Sequence, residues 1–220
     1  MFTNNLKICG ITTPETARFC AERGVGALGV VFFRQSPRYV TPQRARSIFE
    51  DLPASSARVG VFVDTPPSEL IAMAKEAALD TVQLHGHESI HEIIAAQEAG
   101  FHVVKVLKAT GNKLLEAACS LPATVGILIE CGTGTLPGGN GAVWDWAAAA
   151  PLAKIRPFAL AGGLTPQNLA EAVRLSKASA WDVSSGVERA PGLKDHSEIL
   201  HLLATAQKLE SFNNTLFWKG

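Results

Sequence analysis

The feature that most constrains this chain is an alternation: short apolar, β-rich runs separated by amphipathic stretches that open on helix-capping residues. Alternation of this kind builds a parallel sheet, because parallel neighbours need a crossover connection and the crossover is usually a helix. The candidate strands are Leu6–Cys9, Ala27–Phe32, Arg58–Val63, Thr81–Leu84, His102–Leu107, Gly126–Ile129, Phe158–Leu160 and Ala180–Val183, eight in all. Eight is the number that closes a (β/α)8 barrel. Thr13-Pro14, Thr41-Pro42 and Thr165-Pro166 each pair a capping hydroxyl with a proline suited to the first helical position. Further helix starts are expected around Pro67, Glu88, Asn112, Asp145 and Asp195. An open, doubly wound sheet would usually carry a Gly-x-Gly-x-x-Gly turn after its first strand. Here Cys9 is followed by Gly10-Ile11-Thr12-Thr13-Pro14. The expected fold is therefore α/β, a single (β/α)8 TIM barrel over residues 1–220, with 211–220 as a C-terminal tail. The tail contains Leu216-Phe217-Trp218, which is packed on the barrel bottom, engaged in a subunit contact, or disordered; sequence alone leaves all three open.

Composition narrows the partners. With 47% hydrophobic and 18% charged residues among 220, apolar surface suffices for a large core. The formal net charge is zero, with no Lys/Arg stripe, so the electrostatic footprint of nucleic-acid or membrane binding is missing and a small-molecule ligand is expected. Met1–Asn5 is polar, without a secretory pattern, and no apolar stretch is long enough to span a bilayer, which points to the cytoplasm. Cys9, Cys20, Cys119 and Cys131 show no Cys-x-x-Cys spacing and are expected as free thiols. Assembly as monomer or homodimer is left open.

Barrel enzymes build their sites at the carboxyl ends of the strands, so polar residues that close an apolar run are weighed first. Cys9 closes the first strand, with Lys7 on its face: it is either a small core residue or, as a thiolate, a general base. Glu130 closes the sixth and is either a solvated loop charge or a general acid or base. The loop after it holds Gly132, Gly134, Gly138, Gly139 and Gly141 without the Gly-Lys-Ser/Thr of a Walker loop. Gly162-Gly163 follows the seventh strand and Ser184-Ser185-Gly186 the eighth, the loops that commonly hold phosphate in barrels. Arg38, after the second strand, is either solvated or a bidentate clamp for a substrate carboxylate. Gln83, His85 and His87 close the fourth strand, with both histidines on one side; they lack a third ligand of matching spacing, so no metal is expected. Trp144 and Trp146 read as core and helix-start residues.

In this order the pieces resemble the phosphoribosylanthranilate isomerase family over roughly Leu6 to Leu203. The matching segments are Lys7-Ile8-Cys9-Gly10-Ile11-Thr12, Leu28-Gly29-Val30-Val31-Phe32 with Ser36-Pro37-Arg38, Val59-Gly60-Val61-Phe62-Val63, Gln83-Leu84-His85-Gly86, Trp144-Asp145-Trp146, Leu160-Ala161-Gly162-Gly163-Leu164, and Asp182-Val183-Ser184-Ser185-Gly186-Val187-Glu188 followed by Pro191-Gly192 and Lys194-Asp195. The resemblance implies an Amadori rearrangement of N-(5'-phosphoribosyl)anthranilate in tryptophan biosynthesis, without metal or cofactor. It implies Cys9 as base, Arg38 on the anthranilate carboxylate, and Asp182 near the base. Gln83 and His85 become further substrate contacts, and Gly162, Gly163, Ser184, Ser185 and Gly186 a phosphate site. The family's acid is an aspartate closing the sixth strand, where this chain has Glu130, and the following loop departs as well, reading Gly138-Gly139-Asn140-Gly141-Ala142. A barrel isomerase of histidine biosynthesis would need an aspartate at Cys9. A non-catalytic barrel that binds a phosphate ligand is the rival from another class.

Overall fold

The strands of a closed barrel are buried on both faces, and here the outward face is the continuously apolar one. Ile8, Leu28, Val30, Phe62, Leu84, Val103, Ile127, Ile129, Leu160 and Val183 turn outward into an apolar layer beneath the helices, each at 1% exposure or less. Burying a side chain of this size stabilises the fold by roughly 1.5–3 kcal/mol. The computed structural model describes residues 3–109, 113–131, 144–210 and 217–219. The loop glycines 132, 134, 138, 139 and 141, the expected helix start at Asn112 and the tail residues 211–216 and 220 lie outside the described residues.

Eight parallel strands, β1 (Thr3–Cys9), β2 (Val25–Val31), β3 (Ala57–Phe62), β4 (Thr81–Leu84), β5 (His102–Lys108), β6 (Gly126–Glu130), β7 (Ala159–Leu160) and β8 (Ala180–Val183), pair in chain order, and β8 returns to β1. The sheet is closed, so the expected barrel is what the chain forms. Crossovers are the helices α1 (Pro14–Glu22), α2 (Pro42–Phe49), α3 (Pro67–Glu76), α4 (Ile90–Glu98), α5 (Lys113–Ser120), a 3-10 helix (Trp146–Lys154) and α6 (Leu169–Ser176), and α7 (His196–Glu210) follows β8. Thr13 and Thr41 cap α1 and α2 by accepting from the amides of Thr16 and Arg44. Thr165-Pro166 does not open its helix directly: Thr165 accepts from the Asn168 amide in a turn, and α6 begins at Leu169. The fourth helix likewise starts past Glu88, because Ser89 and Glu92 form a reciprocal capping box there. Among the described residues no helix is long and apolar enough to cross a membrane.

The barrel interior is a separate apolar cluster that includes Ala27, Ala57, Val59, Val104, Leu128, Ala159 and Ala180. Phe217 and Trp218 belong to this cluster, so the three-way choice left by the tail sequence resolves, for these two residues, to packing in the barrel floor.

Candidate active site

At the opposite, carboxyl end, the strands surround one cleft lined by Cys9, Arg38, Gln83, His85, Glu130, Gly162, Gly163, Asp182, Ser184 and Ser185. Of the expected site residues only Gly186 is absent from this lining. A β-carbon at Gly186 would sit 1.9 Å from the Leu164 carbonyl oxygen, so the loops after β7 and β8 can approach this closely only at a glycine.

Cys9 and Lys7 are two apart on an extended strand and therefore share the inner face. β8 pairs with β1 so that Asp182 lies opposite Lys7, and the Lys7 ammonium donates to Asp182 Oδ2 at 2.8 Å. The two side chains are 0% and 8% exposed. Burial pushes the Cys9 thiol above its ordinary value, while the hydrogen-bonded Lys7 ammonium pulls against that rise. Burial also works to lower Lys7, but the Asp182 carboxylate and Cys9 outweigh it, and the ammonium is held more tightly than usual. Cys20, buried among the helices, is pushed up to about 12, with only the charges of Lys194 and Arg23 opposing burial. The cleft thiol differs in having the Lys7 ammonium on its own face of β1. The position of Lys7 on the face of Cys9 was readable in the sequence; its ion pair was not, because Asp182 is 175 residues away.

Across the cleft, His85 Nε2 lies 2.7 Å from Glu130 Oε1, with both side chains nearly buried. Glu130 is the last residue of β6 and is not a solvated loop charge. The expectation that His85 and His87 share one side fails: after β4 the chain turns, His87 is 96% exposed, and it pairs with Asp64. Two buried acceptors on the cleft wall, Asp182 Oδ1 and Gln83 Oε1, have no hydrogen-bond partner among the described residues. Buried acceptors are normally satisfied, so both are suited to ligand donors.

Arg38 is 8% exposed and is not free in solvent. Its Nε and Nη2 donate to Glu188 Oε1 and Oε2 at 2.8 and 2.7 Å, and Lys194 donates to the same Oε1 at 2.7 Å. One edge of the guanidinium is thus spent on Glu188; the Nη1 edge has no partner among the described residues. Lys194 also donates to the Ser184 carbonyl at 2.9 Å. Glu188 and Lys194 sit on a two-stranded hairpin, β9 (Glu188–Ala190) and β10 (Leu193–Lys194), that follows β8. Both lie in the segments that carry the family resemblance, and nothing local in the sequence marks them as partners of Arg38.

After β7, Gly162 and Gly163 take φ of +88° and +67°, which L side chains adopt only under strain. The indoles of Trp144 and Trp146 donate to the carbonyls of Ala161 and Gly162 and pin this turn. After β8, the Ser184 hydroxyl donates to the Cys9 carbonyl at 3.0 Å, and a single 3-10 turn, Ser185–Val187, follows.

One mouth of a closed (β/α)8 barrel thus gathers a buried thiol, a carboxyl–imidazole pair, an arginine and a glycine turn. The N-(5'phosphoribosyl)anthranilate (PRA) isomerase model matches residues 6–205. The chain is 42% identical over 207 residues to the N-(5'-phosphoribosyl)anthranilate isomerase of Paramagnetospirillum magneticum, covering 92% of this chain and 96% of that protein. Among solved structures it is similar to the Thermotoga maritima phosphoribosyl anthranilate isomerase, with a TM-score of 0.85 and 36% identity over 94% of this chain and all of that one. It is also similar, at TM-score 0.83 and 35% identity over 94% of this chain and all of the other, to a phosphoribosyl anthranilate isomerase in complex with reduced 1-(o-carboxyphenylamino)-1-deoxyribulose 5-phosphate. The chain belongs to the N-(5'-phosphoribosyl)anthranilate isomerase family, an isomerase family of tryptophan biosynthesis.

Proposed function

We propose that the chain converts N-(5'-phosphoribosyl)anthranilate to 1-(2-carboxyphenylamino)-1-deoxyribulose 5-phosphate from a single cytoplasmic barrel domain, with Glu130 as acid and Cys9 as base. The observation that carries this reading is that a thiol and a carboxyl line one cleft: Cys9 beside Lys7 on β1, and Glu130 against His85 on β6. Glu130 gives its proton to the furanose ring oxygen as the C1'–O bond breaks and the anthranilate nitrogen forms the imine. The protonated imine is then the electron sink, so the Cys9 thiolate can remove the C2' proton and leave an enolamine. Tautomerisation to the ketone completes the rearrangement and returns the protons, with no net oxidation.

The remaining groups orient the substrate. The Nη1 edge of Arg38 suits the anthranilate carboxylate, since a guanidinium presents paired donors to a planar anion. Asp182 Oδ1 and Gln83 Oε1, both lacking donors, suit sugar hydroxyls. The loops of Gly162-Gly163 and Ser184-Ser185-Gly186 suit the phosphate, whose dianion is complemented by backbone amides. His85 holds the longer side chain of Glu130 in place. Purified protein is expected to consume phosphoribosylanthranilate generated in situ, followed as loss of anthranilate-type fluorescence; a decay no faster than in buffer overturns the reading.

A further inference from the structure

The floor of the barrel poses a packing problem that the strands do not solve. Barrel interiors are usually filled by layers of bulky branched side chains from alternate strands. Here β2, β3, β7 and β8 offer Ala27, Ala57, Ala159 and Ala180 to the interior, all at 0% exposure. The missing volume is supplied by Phe217 and Trp218, two residues outside the 6–205 stretch that the family model matches. Trp218 is 1% exposed and is fixed at two points: its indole donates to the Asn5 carbonyl at 3.1 Å, and its own carbonyl accepts from the Thr81 hydroxyl at 2.8 Å.

The position of the ring matters more than its bulk. Along the inner face of β1 the residues Asn5, Lys7 and Cys9 climb from floor to cleft, and the Lys7 Nζ stands 5.4 Å from the centre of the Trp218 ring. An ammonium at that distance from an indole is attracted by the ring's negative face, and more strongly where water is excluded. Above the ring, the same ammonium meets Asp182 and Cys9, and both Lys7 and Cys9 pack so closely over Gly29 that a β-carbon there would lie 2.8 Å from Lys7 Cε and 3.0 Å from Cys9 Sγ.

We propose that Trp218 is a positioning residue for the isomerisation, holding the Lys7 ammonium from below so that it supports the Cys9 base from beneath the cleft. This rests on the reading of Cys9 as the base. The charged or titratable groups that bear on Cys9 are Lys7 on its own strand, Asp182 on β8, Lys194 on β10 and Arg38 in the loop after β2. Trp218 changes none of them except through Lys7. It touches no substrate group in the cleft, so its effect belongs to turnover and not to binding.

The test compares Trp218→Phe, which keeps a π face, with Trp218→Leu, which keeps apolar bulk without one. Trp218→Phe is expected to hold kcat within about threefold of the parent, and Trp218→Leu to lose about tenfold or more in kcat with KM within about twofold. In the Leu variant the pH at which Cys9 becomes reactive toward iodoacetamide is expected to move up, because a less firmly held ammonium favours the thiolate less. Equal kcat and equal reactivity profiles for Phe and Leu overturn the proposal and leave Trp218 as filler. A kcat loss in Leu that returns when the assay is cooled below its unfolding transition also overturns it. Failure of the base assignment is read separately, as full turnover by Cys9→Ser in the otherwise unaltered chain.

Discussion

His85 Nε2 and Glu130 Oε1 stand 2.7 Å apart, joining the carboxyl ends of β4 and β6 across the intervening β5. The contact ties the fourth-strand motif to the carboxyl proposed as the acid, where the family resemblance implies an aspartate. The extra methylene of Glu130 is therefore not loose in the cleft; it is held.

Two substitutions at Glu130 separate acid chemistry from fit. Glu130→Gln keeps size and polarity without a transferable proton and is expected to lower kcat by about 100-fold or more with little change in KM. Glu130→Asp restores the family residue but withdraws the carboxyl from His85 and is expected to slow turnover by about tenfold or more. Steady-state kinetics decides both. A faster Asp variant removes the fitted-length argument, and a fully active Gln variant moves the acid elsewhere.

Cys9→Ser is expected to reduce turnover by at least ~100-fold while the thermal unfolding temperature changes little, because a hydroxyl fills the space without giving an accessible anion. The pH dependence follows from the same group. Burial holds the thiol above its ordinary value, so alkylation of Cys9 by iodoacetamide, read as the difference from Cys9→Ser, is expected to speed up with pH through and beyond the ordinary thiol range. A rate that levels off at or below that range denies the raised thiol.

Arg38→Lys tests the divided guanidinium. A lysine is a point charge that cannot serve Glu188 with one edge and a substrate carboxylate with the other. The expected outcome is a KM raised about tenfold or more, some 1.4 kcal/mol of binding, with a smaller change in kcat. An unchanged KM shows that the anthranilate carboxylate is bound by another group.

Glu188 links the site to stability. Burial alone would raise its carboxyl, but Arg38 and Lys194 outweigh it and hold the group below the usual glutamate range. A carboxyl depressed in the folded state adds stability above its unfolded value, and that stability is lost as the pH falls through the folded value. Glu188→Gln leaves two buried cations with less compensation and is expected to cost about 3–5 kcal/mol near neutrality. The difference from the parent should shrink in strong acid, as measured by urea unfolding at about pH 7 and about pH 3. A constant difference across that range denies the linkage.

The sequence by itself determined the barrel, because period and capping are local: strand runs such as Leu6–Cys9 and the caps at Thr13 and Thr41 depend on neighbours a few residues away. It also marked which side chains reach the cleft, since an inward-facing polar residue near the carboxyl end of a barrel strand opens into the mouth; Cys9, Gln83, Glu130 and Asp182 were legible in that way. Local reading failed where a turn redirected the chain, as at His87 and at Thr165. Only the tertiary structure decided the partners. The pairs Lys7–Asp182, Arg38–Glu188 and His85–Glu130 join residues 175, 150 and 45 positions apart, and no period encodes such a separation. The seating of Trp218 beneath Lys7 belongs to the same group. A floor of alanines is seen as a space to be filled only once the sheet has closed, and which distant side chain fills it is settled by packing volume and not by anything adjacent in the chain.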